Sequence, residues 1–300
     1  MHLFFKNLTL YRLREQLTLS PEDIHEKLGA AAFKPCGGLE PFSYGFEPPL
    51  GRNATALTHA ANGRIMVCAR REERLLPGTV VKEAVEDRVA QIESAEFRTV
   101  FRKERQRIRD EVTFEMLPRA FTKNARTYAY VCPEDGWLVV DASTLPKAEL
   151  FVTALAEAVP ALDILPYSPD QAVSQLLTRW LRDGELPSGL ALLDECEMRD
   201  PAQEGSLVRC QRQEMVSDEI RAHLKAKKEV RRLGLGFEDQ LTFALTAEMQ
   251  IKRLRFENVK ELDDLAEGDE AARFDADFAF MTATLAPLLR RFLQVFGEVG

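Results

Sequence analysis

Residues 56–76 read ALTHAANGRIMVCARREERLL, and this stretch decides the fold class. Asn62-Gly63 sits between two runs rich in apolar residues. Asn-Gly tolerates the left-handed backbone of a tight two-residue turn better than almost any other pair. Two strands joined at Asn62-Gly63 are therefore predicted over Ala56 to Leu76. In the second, Arg64 to Ala69, alternation puts Ile65 and Val67 on one face.

Working outward, Leu3 to Leu13 reads as a first strand, rich in aromatic and branched residues. Ser20-Pro21-Glu22-Asp23 opens a helix expected to run to about Phe33. Ser20 suits the N-cap, Pro21 the first helical position, and the acids the positive helix end. Pro35 to Gly51 is an irregular loop, with a short extended piece at Phe42 to Phe46. Beyond Pro77-Gly78, a helical region is predicted from Val80 to Met116. Val81, Val85, Val89 and Ile92 share one face, as do Phe97, Phe101, Ile108 and Val112. The step from Ile92 to Phe97 breaks register, so a kink or two helices are expected. A second hairpin follows, Thr127 to Cys132 and Trp137 to Asp141, turning at Glu134-Asp135-Gly136. Leu145 to Val159 and Gln171 to Arg182 are helices. Gly189 to Cys196, Leu207 to Gln213, Glu229 to Leu235 and Gln240 to Phe256 are strands, and Phe278 to Phe296 is a helix.

Helices alternate with hairpins, which means α+β with mixed, largely antiparallel sheets and long helices. Three parts are expected: 1–76, a long-helix lobe over 77–126, and 127–300. The 300 residues are 45% hydrophobic, enough for a substantial core. No signal peptide and no run of about 18 apolar residues is seen, so no membrane partner is expected. Five scattered cysteines without a CxxC pair suit reduced thiols in the cytoplasm.

The net charge of −8 argues against a nucleic-acid partner until its distribution is read. Arg98 to Arg126 holds nine basic residues against four acidic ones, and Gly205 to Arg232 eight against four. Glu257 to Asp277 holds nine acids against two bases. Arg98, Arg102, Arg105 and Arg109 fall on one helical stripe. Two basic segments within an acidic exterior can form a surface for phosphate. Such a stripe also suits a plain solvated face. Lys225, Lys227 and Lys228 also suit the negative end of a helix capped by Ser217.

Catalytic patterns are missing. His2, His25, His59 and His223 show no metal-ligand spacing, and no phosphate-binding loop or nucleophile elbow is present. Asp194/Glu195/Glu197 and Asp275/Asp277 could contribute to a Mg²⁺ site, which keeps a metal-dependent exonuclease as an alternative. Neither an enzymatic role, a metal nor a cofactor is expected.

Five stretches together resemble the RdgC family of recombination-associated proteins. They are FFKNLTLYRL (Phe4 to Leu13), LTHAANGRIMVCARREERLLP (Leu57 to Pro77), LPRAF (Leu117 to Phe121), LLDECEM (Leu192 to Met198) and RFDADFAFMT (Arg273 to Thr282). The resemblance implies horseshoe-shaped subunits forming a ring homodimer around a basic hole. It also implies nucleoid association, sequence-independent binding of double-stranded DNA, and restraint of the RecA recombinase. Phe121 matches an aromatic at a ring-closing dimer contact, with Leu117 near it. Arg212-Gln213 matches a Lys-Gln pair tied to function. On this reading the DNA-binding candidates in the first basic segment are Arg98, Arg102, Lys103, Arg105, Lys123 and Arg126. Those in the second are Arg209, Arg212, Gln213, Lys225, Lys227 and Lys228. A module that contacts the recombinase directly is the remaining alternative.

Overall fold

The computed structural model describes residues 4–51, 53–202, 206–257, 259 and 270–298. The first part of the chain forms β1 (Leu8–Leu13), α1 (Pro21–Gly29), β2 (Phe42–Glu47), β3 (Thr58–Ala61) and β4 (Arg64–Arg74). Two helices follow, α2 (Gly78–Glu96) and α3 (Arg102–Met116), then a single 3₁₀ turn at Leu117–Arg119. The chain returns through β5 (Thr122–Cys132), β6 (Trp137–Asp141), α4 (Leu145–Ala158), β7 (Ile164–Pro166) and α5 (Val173–Asp183). It ends with β8 (Leu190–Arg199), β9 (Leu207–Gln211), α6 (Asp218–Lys225), β10 (Glu229–Phe237), β11 (Leu241–Thr246), β12 (Ile251–Phe256) and α7 (Glu270–Phe296).

The Asn62-Gly63 hairpin forms as expected. Both residues take left-handed backbone, φ 50° and 72°, and Ala61 pairs with Arg64 across the turn. β4 extends to Arg74, beyond the predicted Ala69. Its Ile65, Val67 and Ala69 enter one core while Met66 enters another. β4 is thus buried on both faces from Ile65 to Ala69 and half-buried over most of its end, where only Glu73 is exposed. At the N-terminus of α1, Ser20 Oγ accepts from the Asp23 N–H, and Asp23 accepts from the Ser20 N–H. This reciprocal cap holds the helix start. The helix stops at Gly29, short of Phe33, because residues 31–33 instead bond to Phe46 on β2.

The strands form one sheet, in the order β2-β4-β5-β6-β1-β12-β11-β10-β8-β9. β3 adds to β4, and β7 adds to β1. Every strand pair among the described residues is antiparallel. The mixed character expected from sequence reduces there to one isolated parallel bridge, Ala32 to Phe46. The sheet halves meet at a narrow seam, Leu8 opposite Ile251, backed by the Leu254 N–H donating to the Lys6 carbonyl. Beyond Leu8 the same edge of β1 is taken by β7.

One core packs α1 and α4 against the first half of the sheet, around Leu28, Phe46, Val140 and Phe151. A larger one packs α5 and α7 against the opposite face, around Trp137, Trp180, Leu235, Met281 and Phe292. The first half is therefore sandwiched, while the second half keeps one face open. A third, separate cluster lies between α2 and α3: Val81, Val85, Val89, Val100, Ile108 and Val112.

Two expectations change here. The expected strand Gln240 to Phe256 is a hairpin, β11 and β12. Its turn was invisible because Met249, not Gly or Asn, takes the left-handed position at φ 56°. Phe97 and Phe101 do not join the apolar helical face, because the chain leaves the helix between them and Val100 turns inward instead. Among the described residues no helix is long and apolar enough to cross a membrane.

Candidate nucleic-acid interface

α3 is polar on all sides except one. Ile108 and Val112 are its only buried residues, so its cations project outward. Arg102, Arg105 and Arg109 share a stripe, but Arg98 does not. It lies in the connection before α3, held between Glu96 (2.5 Å) and Glu104 (2.6 Å). These two carboxylates keep its charge firmly in place and also neutralise it. Arg105 reaches Glu86 at 3.4 Å, and Arg107 lies between Glu104 and Glu111. Arg102, Lys103 and Arg109 are exposed and make no ion pair among the described residues.

Lys123 and Arg126 stand on the outer half of β5, whose residues 122–126 are exposed. Lys123 lies opposite Glu73 and Arg126 opposite Arg70. Arg126 hydrogen-bonds Glu47, which is only 8% exposed. Arg70 reaches the same carboxylate at 3.5 Å and also bonds Asn124 at 2.8 Å. Removing one partner of a buried carboxylate leaves uncompensated charge. Arg126 is therefore committed to the fold, and Lys123 is the freer cation of the two.

The second group lies at the far end of the sheet. Arg209 on β9 bonds Glu197 (2.9 Å), which also faces Arg232 (3.7 Å). Arg212 is exposed just after β9, in left-handed backbone at φ 56°. Beside it, half-buried Gln213 holds an amide nitrogen with no hydrogen-bond partner among the described residues. Lys225 and Lys227 are exposed at the end of α6, and the Lys228 amine sits 3.4 Å from His223 Nδ1. Ser217 Oγ caps the start of α6, so these lysines face the negative end of its dipole.

β5 and β9 are separated by seven strand spacings along the sheet. At about 4.8 Å each, roughly 34 Å of sheet lies between the strand that carries Lys123 and the strand that carries Arg209. Between them lies the open face of the second half, whose cations the sequence reading missed. β12 carries Lys252, Arg253 and Arg255 outward while Ile251 and Leu254 point into the core. Arg253 takes φ 53°, which resets the alternation. It bonds Glu195, whose side chain crosses directly over Gly234. A Cβ at Gly234 would meet Glu195 Cγ at 2.6 Å, so the bare backbone is what lets this pair form. The missed signal was present in IKRLRF, where basic residues interleave with apolar ones.

The dimer candidates differ from each other. Phe121 is 86% exposed, and its carbonyl accepts from the Leu75 N–H (2.7 Å). Leu117 is buried, its carbonyl accepting from Arg74 (2.9 Å), so it supports the lobe from inside. Leu75, Val80, Phe114 and Phe121 are all exposed at the root of the lobe.

The candidate metal carboxylates do not converge. Glu195 and Glu197 are paired with arginines, Asp275 bonds His59 (3.1 Å), and Asp277 is buried on α7. Among the described residues no three His, Cys, Asp or Glu side chains are placed to hold a metal ion. The acidic positions within 260–269 lie outside the described residues. Burial pushes the Cys68 and Cys196 thiols up to about 12, which keeps them protonated at neutral pH.

A family model described as "Putative exonuclease, RdgC" matches residues 3–299. Over 297 residues the chain is 41% identical to the recombination-associated protein RdgC of Halorhodospira halophila, covering 98% of each. The corresponding identities are 38% with the Aeromonas hydrophila protein and 37% with that of Proteus mirabilis, each at 98% coverage of both chains.

Proposed function

The chain belongs to the RdgC family, and from that premise we propose that it is a non-enzymatic, sequence-independent binder of double-stranded DNA. It acts as a ring-shaped dimer and limits access of the RecA recombinase to DNA. One observation carries this reading. A chain of net charge −8 holds outward cations along α3 and β5, at Arg102, Lys103, Arg109 and Lys123, that have no ion-pair partner among the described residues. A merely solvated acidic protein has no need of that concentration. Cations on a polar surface displace condensed counterions from the phosphate backbone without reading bases. The committed ion pairs of Arg98, Arg126 and Arg209 shape the surface rather than contact phosphate. The root of the lobe, centred on Phe121, supplies a dimer contact.

The test is binding to linear duplexes of unrelated sequence across a salt series with Mg²⁺ present. The expected result is equal affinity for all sequences, a steep linear fall of log K with log salt, and uncut DNA. Lys103→Gln lowers the salt slope by about one. Phe121→Ala shifts sedimentation toward monomer and shortens retention on DNA. Salt-insensitive binding overturns the reading in favour of a module that contacts the recombinase. Cleavage of the DNA favours the exonuclease that the family description names.

A further inference from the structure

The tip of the α2–α3 lobe displays two aromatic rings that the fold does not use. Phe97 is 94% exposed and Phe101 75% exposed, whereas all but three of the other phenylalanines, Phe42, Phe114 and Phe121, are buried or half-buried. Exposure alone proves little for one side chain, but here the backbone adds a second observation. Phe97 closes α2 in left-handed conformation, φ 51° and ψ 39°, a position where Gly or Asn is least strained. A bulky residue there is costly, and such strain concentrates at functional sites.

The connection is also held rigid. Val100 is buried between the helices, and its N–H donates to the Glu93 carboxylate (2.8 Å). Arg98 is clamped between Glu96 and Glu104. These contacts hold the connection's backbone in place, and both rings point away from the α2–α3 core. Their surroundings are cationic. From Phe97 to Arg109 the sequence has six basic residues and a single acid, Glu104, which is spent on Arg98 and Arg107.

We propose that Phe97 and Phe101 form a base-stacking wedge, which takes hold of unstacked bases at a distorted or opened step of the nucleic acid. The proposal rests on the DNA-binding reading and deepens it. Aromatic faces stack on any base, which suits binding without sequence preference. Apolar wedges enter a base step where the duplex is easily kinked. The flanking Arg102 and Lys103 hold the phosphates on either side of the opened step.

The experiment compares the full-length protein with Phe97→Ala/Phe101→Ala. The probes are a fully paired duplex, the same duplex with a two-nucleotide bulge carrying a 2-aminopurine, and a single strand. The expected result is a preference of the unsubstituted protein for the bulged duplex, with changed 2-aminopurine fluorescence. The double variant loses about ten-fold or more of its affinity for the bulge and the strand. Its salt slope is unchanged, since no charge is removed. A variant that binds all three probes like the parent, with the same fluorescence change, overturns the wedge and leaves DNA binding standing. A variant whose losses follow a shift from dimer to monomer in sedimentation also overturns it, assigning the tip to a second copy of the chain. If the unsubstituted protein binds no probe, the DNA-binding reading itself fails.

Discussion

The sheet body and the α2–α3 lobe are built to opposite rules. The body packs large side chains without exposure, as at Trp137, Phe151 and Phe292, between strands and helices from distant parts of the chain. The lobe rests on six small or branched residues and leaves Phe97, Phe101 and Phe114 outside. Its surface is laced with exposed pairs such as Arg88–Glu115 and Arg105–Glu86, each worth little in water. In the body the aromatics are buried or half-buried, with Phe42 on β2 as the exception. In the lobe their placement answers to something outside the subunit. An element that spends its largest apolar residues on the surface is marginally stable by itself and suited to contact.

That contrast can be broken first in the body. Phe151→Ala removes a ring packed edge-on against Phe46 beneath α4. It is expected to cost about 3–5 kcal/mol in chemical denaturation, in one cooperative transition. In the lobe, Ile108→Ala is expected to cost about 2–4 kcal/mol locally. Amide exchange should quicken across α2 and α3 while β5, β6 and β1 keep their protection. Equal loss of protection in the sheet would show that lobe and body are one cooperative unit, and would erase the distinction.

A smaller change sharpens it in the other direction. Phe97→Gly relieves left-handed strain and removes no buried contact, so the lobe should gain about 1 kcal/mol or less. It should do so while losing affinity for distorted DNA. A gain in stability with a loss of binding is the mark of a residue kept for contact rather than for folding. A destabilised lobe would show that the ring packs after all.

The smallest effect belongs to the body's edge. The Ser20 backbone N–H, then its side chain, holds the Asp23 carboxyl below its ordinary value of 3.8. A depressed carboxylate stabilises the folded state above that value and loses the benefit as pH falls through the folded one. Protection of α1 in amide exchange should therefore weaken slightly under acid, Ser20→Ala should reduce that dependence only in part because the backbone N–H remains, and Asp23→Asn should abolish it. An unchanged acid response in Asp23→Asn would remove the cap from the account.

Local chemistry made much of this legible in the sequence. Asn62-Gly63 specifies its turn because few residues adopt two consecutive positive φ angles. Ser20-Pro21 starts its helix because capping involves only neighbouring atoms. The broken register after Ile92 announced two helices. The sequence by itself also showed where basic residues concentrate. Whether a given cation is available was decided only by the tertiary structure. Arg98 and Arg102 look alike in sequence, yet one is clamped by two carboxylates and the other forms no ion pair among the described residues. Arg126 is taken by Glu47, from 79 residues away. The open face with Arg253 and Arg255 exists because helices cover only one side of β8 to β12. Periodicity predicted inward rings at Phe97 and Phe101, and the structure turned them outward, since which residue of a connection is buried depends on the partner helix. Exposure and pairing are long-range properties, set by what the fold brings alongside.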